Sequence, residues 1–326
     1  MKKLLKAVTI GDIKGIGIEI LIKLWKTKRK KIGNFILITN YKLLLKQLNK
    51  MNISLPIEPI IDINEIQNLD YRNFPVYNIK AINNNYNTYN SILHAYTLAK
   101  KKICSSIITL PLNKEKIINN IDNKFIGQTE LFQKLDKKKH SNMFFYSNKI
   151  IISPLTTHIP LKKVSKIFSD KKLIYQKIIL INNTLINDFK ILNPKIAISG
   201  INPHAGEKGT IGNEEIKYLK PIIKKLSKKR INIQGPFSAD SMFNKLNRSL
   251  YDCFICAYHD QALIAFKLIN EFEGVNYTGS LDIIRTSPDH GTALDIAGKG
   301  IASEKSLYAS IKISQNIAKK KKLWIQ

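Results

Sequence analysis

The stretch Asp252-Cys-Phe-Ile-Cys-Ala-Tyr-His259 decides the fold class. Its apolar run is continuous rather than alternating and too short for an ordinary helix, so it reads as a buried strand of the kind found inside parallel sheets. A histidine stands just past its end. The same order of residues occurs twice more, in Lys149-Ile-Ile-Ile-Ser-Pro-Leu-Thr-Thr-His158 and in Lys195-Ile-Ala-Ile-Ser-Gly-Ile-Asn-Pro-His204. Working outward, Ala7 to Ile10, Asn34 to Ile38 and Ser106 to Leu110 also read as strands. Between them, Ile16 to Thr27, Ser91 to Lys102, Leu161 to Asp188 and Asn213 to Lys228 carry helical periodicity. Strands alternating with helices define an α/β fold. The polar segment Ile82 to Tyr89 reads as a loop, and Ser303 to Lys322 as a lysine-rich amphipathic helix returning onto the N-terminal half.

The chain has 326 residues and a formal net charge of +29, from 53 Lys and Arg against 24 Asp and Glu. Such a balance raises nucleic acid or an anionic membrane as partners. The kind of base argues against both. Only Arg29, Arg72, Arg230, Arg248 and Arg285 carry the guanidinium fork that groove and phosphate readers favour. The lysines fall in short scattered runs, in a chain crowded with Ile and Asn, and read mainly as a solvated surface or as long-range steering of a small anion. A basic nucleic-acid-binding protein stays as the reading of another class. Ala81 to Ala99 is uncharged but too rich in Asn, Tyr, Thr and Ser to span a bilayer. The start, Met1 to Lys6, resembles a secretory n-region, yet Asp12 and Lys14 interrupt the apolar stretch that should follow. Cys104, Cys253 and Cys256 make no disulfide framework, which fits a cytoplasmic location. The C-x-x-C of Cys253 and Cys256 lies within the strand, where residues three apart face opposite ways, so a redox or zinc role is disfavoured.

His158, His204 and His259 each follow the carboxyl end of an expected strand, where open α/β sheets place their ligands. Imidazoles so placed can converge on one divalent metal, although spacings of 46 and 55 residues match no local zinc motif. His94 and His140 read as structural or solvated. Gly11-Asp-Ile-Lys-Gly-Ile-Gly-Ile-Glu19 matches a dinucleotide fingerprint only loosely. From His259 onward candidate groups crowd together: Asp260, Gln261, Lys267, Asn276, Arg285, Asp289, His290 and Asp295. Arg285 suits a forked contact to phosphate or carboxylate, or an ion pair with Asp282 or Asp289. Lys267, about two helical turns beyond His259, suits the same anion or is a surface lysine.

Taken together, Gly11-Asp-x-x-Gly-Ile-Gly-x-Glu19, Pro111-Leu-Asn-Lys-Glu115, Thr156-Thr-His-Ile-Pro-Leu161, Asn202-Pro-His-Ala-Gly-Glu207, Gly235-Pro-x-x-Ala-Asp240, Tyr258-His-Asp-Gln261 and Arg285-Thr-Ser-x-Asp-His-Gly-Thr-Ala293 resemble the 4-hydroxythreonine-4-phosphate dehydrogenase family of vitamin B6 synthesis. The resemblance implies a two-domain α/β/α architecture like isocitrate and isopropylmalate dehydrogenases, with an interdomain active site in a homodimer. On this chain it implies an N-terminal domain of residues 1–121 plus 301–326 and a second domain of residues 122–300. It implies oxidation of 4-phosphooxy-L-threonine with NAD or NADP, then decarboxylation to 3-amino-2-oxopropyl phosphate, with one divalent metal (zinc, magnesium or cobalt). The implied metal ligands are His158, His204 and His259. The implied substrate contacts are Gln128, Thr129, Lys267, Asn276 and Arg285, with Lys267 and Asp260 as catalytic groups and Asp240 as a further polar group. The family usually has His where this chain has Gln128, and prolines where it has Ile13 and Ile18. The first of these keeps open a paralogous dehydrogenase of D-threonate or D-erythronate 4-phosphate. No nucleic acid or membrane partner is implied.

Overall fold

The computed structural model describes residues 4–69 and 71–323, so the first three residues of the n-region-like start lie outside it. In chain order the elements are β1 (Lys6–Thr9), α1 (Ile16–Ile32), β2 (Phe35–Thr39), α2 (Tyr41–Lys50), β3 (Ile57–Ile60), β4 (Phe74–Asn78), α3 (Asn84–Lys100), β5 (Ser106–Thr109), α4 (Lys114–Asn120) and α5 (Gln128–Leu135). There follow β6 (Asn142–Tyr146), β7 (Ile151–Thr156), α6 (Val164–Ser169), α7 (Lys171–Asn187), β8 (Ile196–Ser199), α8 (Lys220–Ser227), β9 (Ile233–Phe237), α9 (Ala239–Met242) and α10 (Lys245–Leu250). The chain ends with β10 (Cys253–Tyr258), α11 (His259–Asn270), β11 (Val275–Gly279), β12 (Arg285–Pro288) and α12 (Lys305–Lys320). It divides into two compact units, Met1–Lys137 with Leu281–Gln326, and Lys138–Ser280.

In the first unit the strands run in the order β3-β4-β2-β1-β5-β12, every pair parallel. The period of two sorts their side chains between two cores. Val8, Leu37 and Ile108 pack with α1 and with Leu307 and Ile311 of α12. Their neighbours Ala7, Ile36, Ile38 and Ile107 pack on the other face with Ile92 and Leu98 of α3 and Phe132 of α5. The C-terminal helix therefore closes the first unit. The unit also contains residues 122–137 and 281–300, which the implied boundaries give to the second domain: Leu131 and Phe132 belong to its core, and β12 pairs with β5.

In the second unit the order is β11-β6-β7-β10-β8-β9. Strands β7, β10, β8 and β9 are parallel, and β6 and β11 antiparallel to their neighbours. Phe254 and Cys256 of β10 pack with Ile152, Ala197 and, from α11, Ala262 and Phe266. Cys253 and Cys256 are free and fully buried, and burial pushes both thiols up, away from the thiolate that redox or metal chemistry needs.

Two sequence expectations need correction. Residues 84–89 are no loop: Asn83 caps α3, its side chain accepting from Asn85 N at 2.9 Å and Tyr86 N at 3.1 Å. The expected helix of residues 161–188 is broken at Asp170, which caps α7 by accepting from Leu173 N at 3.0 Å. Among the described residues, no helix is long and apolar enough to cross a membrane.

Candidate functional site

Strands β7, β10, β8 and β9 lie side by side and parallel, so their carboxyl ends form one edge with a spacing of about 4.8 Å per strand. Along that edge the chain sets His158 just after β7, His259 at the first position of α11 after β10, His204 in the turn after β8, and Asp240 in α9 after β9. The rings of His158 and His259 are 5.8 Å apart between centroids and inclined at 44°. His259 Nδ1 lies 3.0 Å from Asp260 Oδ1. A carboxylate on one ring nitrogen fixes the tautomer and leaves Nε2 as the ligating atom, the arrangement usual for metal-bound histidine. The donor chemistry of this pair fits a divalent ion. Among the described residues, however, no three His, Cys, Asp or Glu side chains of the chain stand together as a metal site, so His204 does not complete a triad with His158 and His259 within one chain.

His204 stands beside Asp240, whose carboxyl is held below its usual range chiefly by the Ser238 hydroxyl, donating at 2.6 Å, with the charge of His204 acting the same way. The turn that carries His204 is unusual. Residues His204 to Lys208 all have φ between 44° and 80°, and only Gly206 among them is glycine. Left-handed backbone costs about 1–2 kcal/mol for each residue with a Cβ, so this turn persists only because surrounding contacts impose it.

Gln261 joins two of the histidine-bearing strand ends. Its Oε1 accepts from Ser199 Oγ at 2.6 Å and Ala257 N at 2.7 Å, while its Nε2 donates to Gly200 O at 3.0 Å. This single amide fixes the end of β8 against the β10–α11 junction. Asn276 pairs across the sheet with Phe145, and Phe145 packs edge-on against the His259 ring at 6.2 Å. Directly paired residues share a sheet face, so Asn276 flanks this region. Among the described residues its buried Oδ1 has no hydrogen-bond partner, which leaves an acceptor available to a ligand. Lys267 is exposed on α11, about 12 Å along the helix from His259 in the same chain.

The remaining expected contacts belong to the first unit. Arg285 is 3 % exposed. Its Nε and Nη2 donate to Thr109 Oγ1 at 3.0 and 2.7 Å, Nη1 donates to Thr129 Oγ1 at 3.2 Å, and Nη2 donates to Gln128 Oε1 at 3.0 Å. Burial lowers its pKa to about 10, with the charge of Glu130 opposing. Gln128, Thr129 and Arg285 are therefore brought together. The same unit holds a cavity of about 260 Å³ that the sequence reading did not find, lined by Asp12, Lys14, Asn84, Asn85, Thr88, Asn113, Lys116 and Ile117. Asp12 pairs with Lys116 at 2.8 Å, and Thr88 Oγ1 donates to Gly11 O at 2.6 Å. Gly11 has φ 64° and a Cβ there would stand 2.4 Å from Pro111 O, so only glycine allows this approach. The available signal was the Asn-rich segment following a Gly-Asp turn.

Imidazoles, carboxylates and amides gathered at the carboxyl ends of parallel strands define an α/β enzyme of the open-sheet class. Residues 31–314 match the family model described as pyridoxal phosphate biosynthetic protein PdxA, and the chain belongs to that family. It is 34% identical to the 4-hydroxythreonine-4-phosphate dehydrogenase of Zymomonas mobilis, over 98% of this chain and 97% of that protein. The enzyme of the same name from Aquifex aeolicus is 35% identical, over 96% and 98%. The crystal structure of 4-hydroxythreonine-4-phosphate dehydrogenase from Klebsiella pneumoniae superposes with a TM-score of 0.85 at 29% identity, covering 98% of each chain. The chain is an enzyme of the dehydrogenase class.

Proposed function

We propose that the chain oxidises the C3 hydroxyl of 4-phosphooxy-L-threonine with NAD, giving 2-amino-3-oxo-4-phosphooxybutanoate, which loses carbon dioxide to form 3-amino-2-oxopropyl phosphate. The observation that carries this reading is the His158–His259 pair, oriented by Asp260, in a chain of this family. A divalent ion (zinc, magnesium or cobalt) would supply Lewis-acid polarisation of the C3 oxygen, and NAD or NADP would accept the hydride. His158 and His259 would hold the ion, and since His204 does not join them within one chain, the third imidazole would be the His204 of a second copy in a dimer that completes the site from both subunits. Asp260 keeps His259 in the tautomer that presents Nε2. Asn276 offers its unpaired Oδ1 to a substrate donor, and Lys267, Gln128, Thr129 and Arg285 supply the cationic and amide groups for the phosphorylated substrate.

A homodimer is part of this proposal. Ile264 and Leu268, four residues apart on one face of α11, and Phe272, two residues past its end, are 64, 79 and 61 % exposed, an apolar patch suited to a second copy. The buried, free cysteines support a cytoplasmic location.

The experiment is direct. Purified protein given cobalt, zinc or magnesium with NAD and 4-phosphooxy-L-threonine forms NADH, loses that activity to a chelator and regains it with metal. D-threonate and D-erythronate 4-phosphate, run alongside, turn over more slowly. No NADH with any of the metals would overturn the proposal, and faster turnover of either threonate or erythronate would replace it with the paralogous activity.

A further inference from the structure

The left-handed turn around His204 is wrapped on a buried carboxylate. Glu215 is 1 % exposed. Its Oε1 accepts from Ile201 N at 2.7 Å and Asn202 N at 2.8 Å, and its Oε2 accepts from Asn202 Nδ2 at 3.1 Å. The Asn202 amide also donates to Glu214 Oε2 at 2.9 Å, and Glu214 Oε1 is held by Ser165 Oγ at 2.8 Å. A Cβ at Gly206 would stand 2.6 Å from Glu215 Oε2, and one at Gly200 would stand 3.0 Å from Oε1. The backbone before His204 and the backbone after it thus close on the same carboxylate. Glu215 itself opens a π-helical turn, Glu215–Leu219, an insertion often found at functional sites.

This carboxylate has no salt-bridge partner among the described residues. All its hydrogen bonds there come from Ile201 and Asn202, the two residues that lead into Pro203 and His204. A buried anion used only for packing is a poor choice, because its desolvation is not offset by a cation. Its use lies in geometry: three fixed donors set the entry to a backbone conformation that four non-glycine residues would otherwise leave.

We infer that Glu215 is a positioning residue for His204, setting the direction of that imidazole and through it the affinity for the divalent ion. The inference rests on the proposed role of His204 as a ligand. Glu215→Gln isolates it. The new amide N–H must face donors, and Asn202 cannot turn to compensate because its amide also serves Glu214.

The test uses the full-length protein with cobalt ion as the probe, followed by its absorption spectrum, for the native chain, His204→Ala, Glu215→Gln and Gly206→Ala. Glu215→Gln is expected to weaken cobalt binding about 10–100-fold, to change the cobalt spectrum, and to speed hydrogen exchange in residues 200–212, with kcat at saturating metal close to native. Gly206→Ala presses on the same carboxylate from the other side and is expected to act in the same direction, so the test survives if Glu215→Gln fails to fold. Native cobalt affinity and spectrum in a folded Glu215→Gln or Gly206→Ala, while His204→Ala binds poorly, would overturn the inference alone. Native affinity in His204→Ala would overturn the ligand role of His204, and this inference with it.

Discussion

Arg285 donates from Nη2 to Gln128 Oε1 at 3.0 Å, and Gln128 in turn donates from Nε2 to Leu110 O at 3.1 Å. The amide is a bridge between a buried guanidinium and Leu110, the first residue past β5. A neutral amide can accept at one atom and donate at the other at every pH. Imidazole, the side chain that the resemblance leads one to expect here, does the same only as a neutral tautomer.

Replacing Gln128 therefore has two separable effects. Gln128→Ala leaves Arg285 and Leu110 O each short of a partner and lowers stability by about 1–3 kcal/mol, measurable by urea denaturation. Gln128→His places a titrating ring beside a cation. Its kcat/KM profile gains an ionisation between about pH 5 and 8 that the native chain lacks. Superimposable pH profiles would show that position 128 does not face the substrate.

Gln261 is the second amide with a geometric task, holding Ser199, Gly200 and Ala257 together. Gln261→Glu keeps the acceptor but sets an oxygen against Gly200 O. It is expected to lower stability by about 1–3 kcal/mol and to weaken metal binding, since the strand ends that bear His204 and His259 are no longer tied. A variant equal to native in urea midpoint and in metal affinity would remove that role.

The strand ends were legible because interior parallel strands are largely apolar runs, and a histidine follows each of β7, β8 and β10 within five residues. Their spatial order was not. Strand β10 enters between β7 and β8, so the proximity of His259 to His158 follows from sheet topology, which no local pattern encodes. Strand β12, Arg-Thr-Ser-Pro, is buried although polar, because hydrogen bonds such as those of Arg285 satisfy it, and it carries no apolar signal. The first turns of α3 were hidden for the same reason. Asn87 and Thr88 are buried there, held by Thr39 and Gly11 rather than by apolar packing.

The apolar patch of α11 gives a prediction about assembly. Leu268 is more exposed than Ile264 on the same helix or Phe272 just past its end, so Leu268→Asp puts a charge into any interface formed there. Light scattering is expected to give twice the chain mass of 37.2 kDa for the native protein and a single chain mass for the variant. A variant that stays at the native mass would place the subunit contact elsewhere.

Lys6 gives a prediction about pH. It lies on β1 with 0 % exposure, and its Nζ is buried without a hydrogen-bond partner among the described residues. Burial lowers its pKa from the ordinary 10.5 to about 7, the charges of Lys312 and Lys319 adding to the effect and that of Cys104 opposing it. Between about pH 7 and 10.5 the unfolded chain binds a proton at this site that the folded chain has released, so this group makes stability rise with pH across that window. Below about pH 7 the folded chain must bury the ammonium, and the destabilisation is at its fullest. Lys6→Met keeps the volume and removes the charge. Its melting temperature is expected to exceed that of the native chain by several degrees at pH 6.5, with the difference shrinking toward pH 10. A difference that is constant with pH, or that grows as pH rises, would show that Lys6 stays charged in the folded protein.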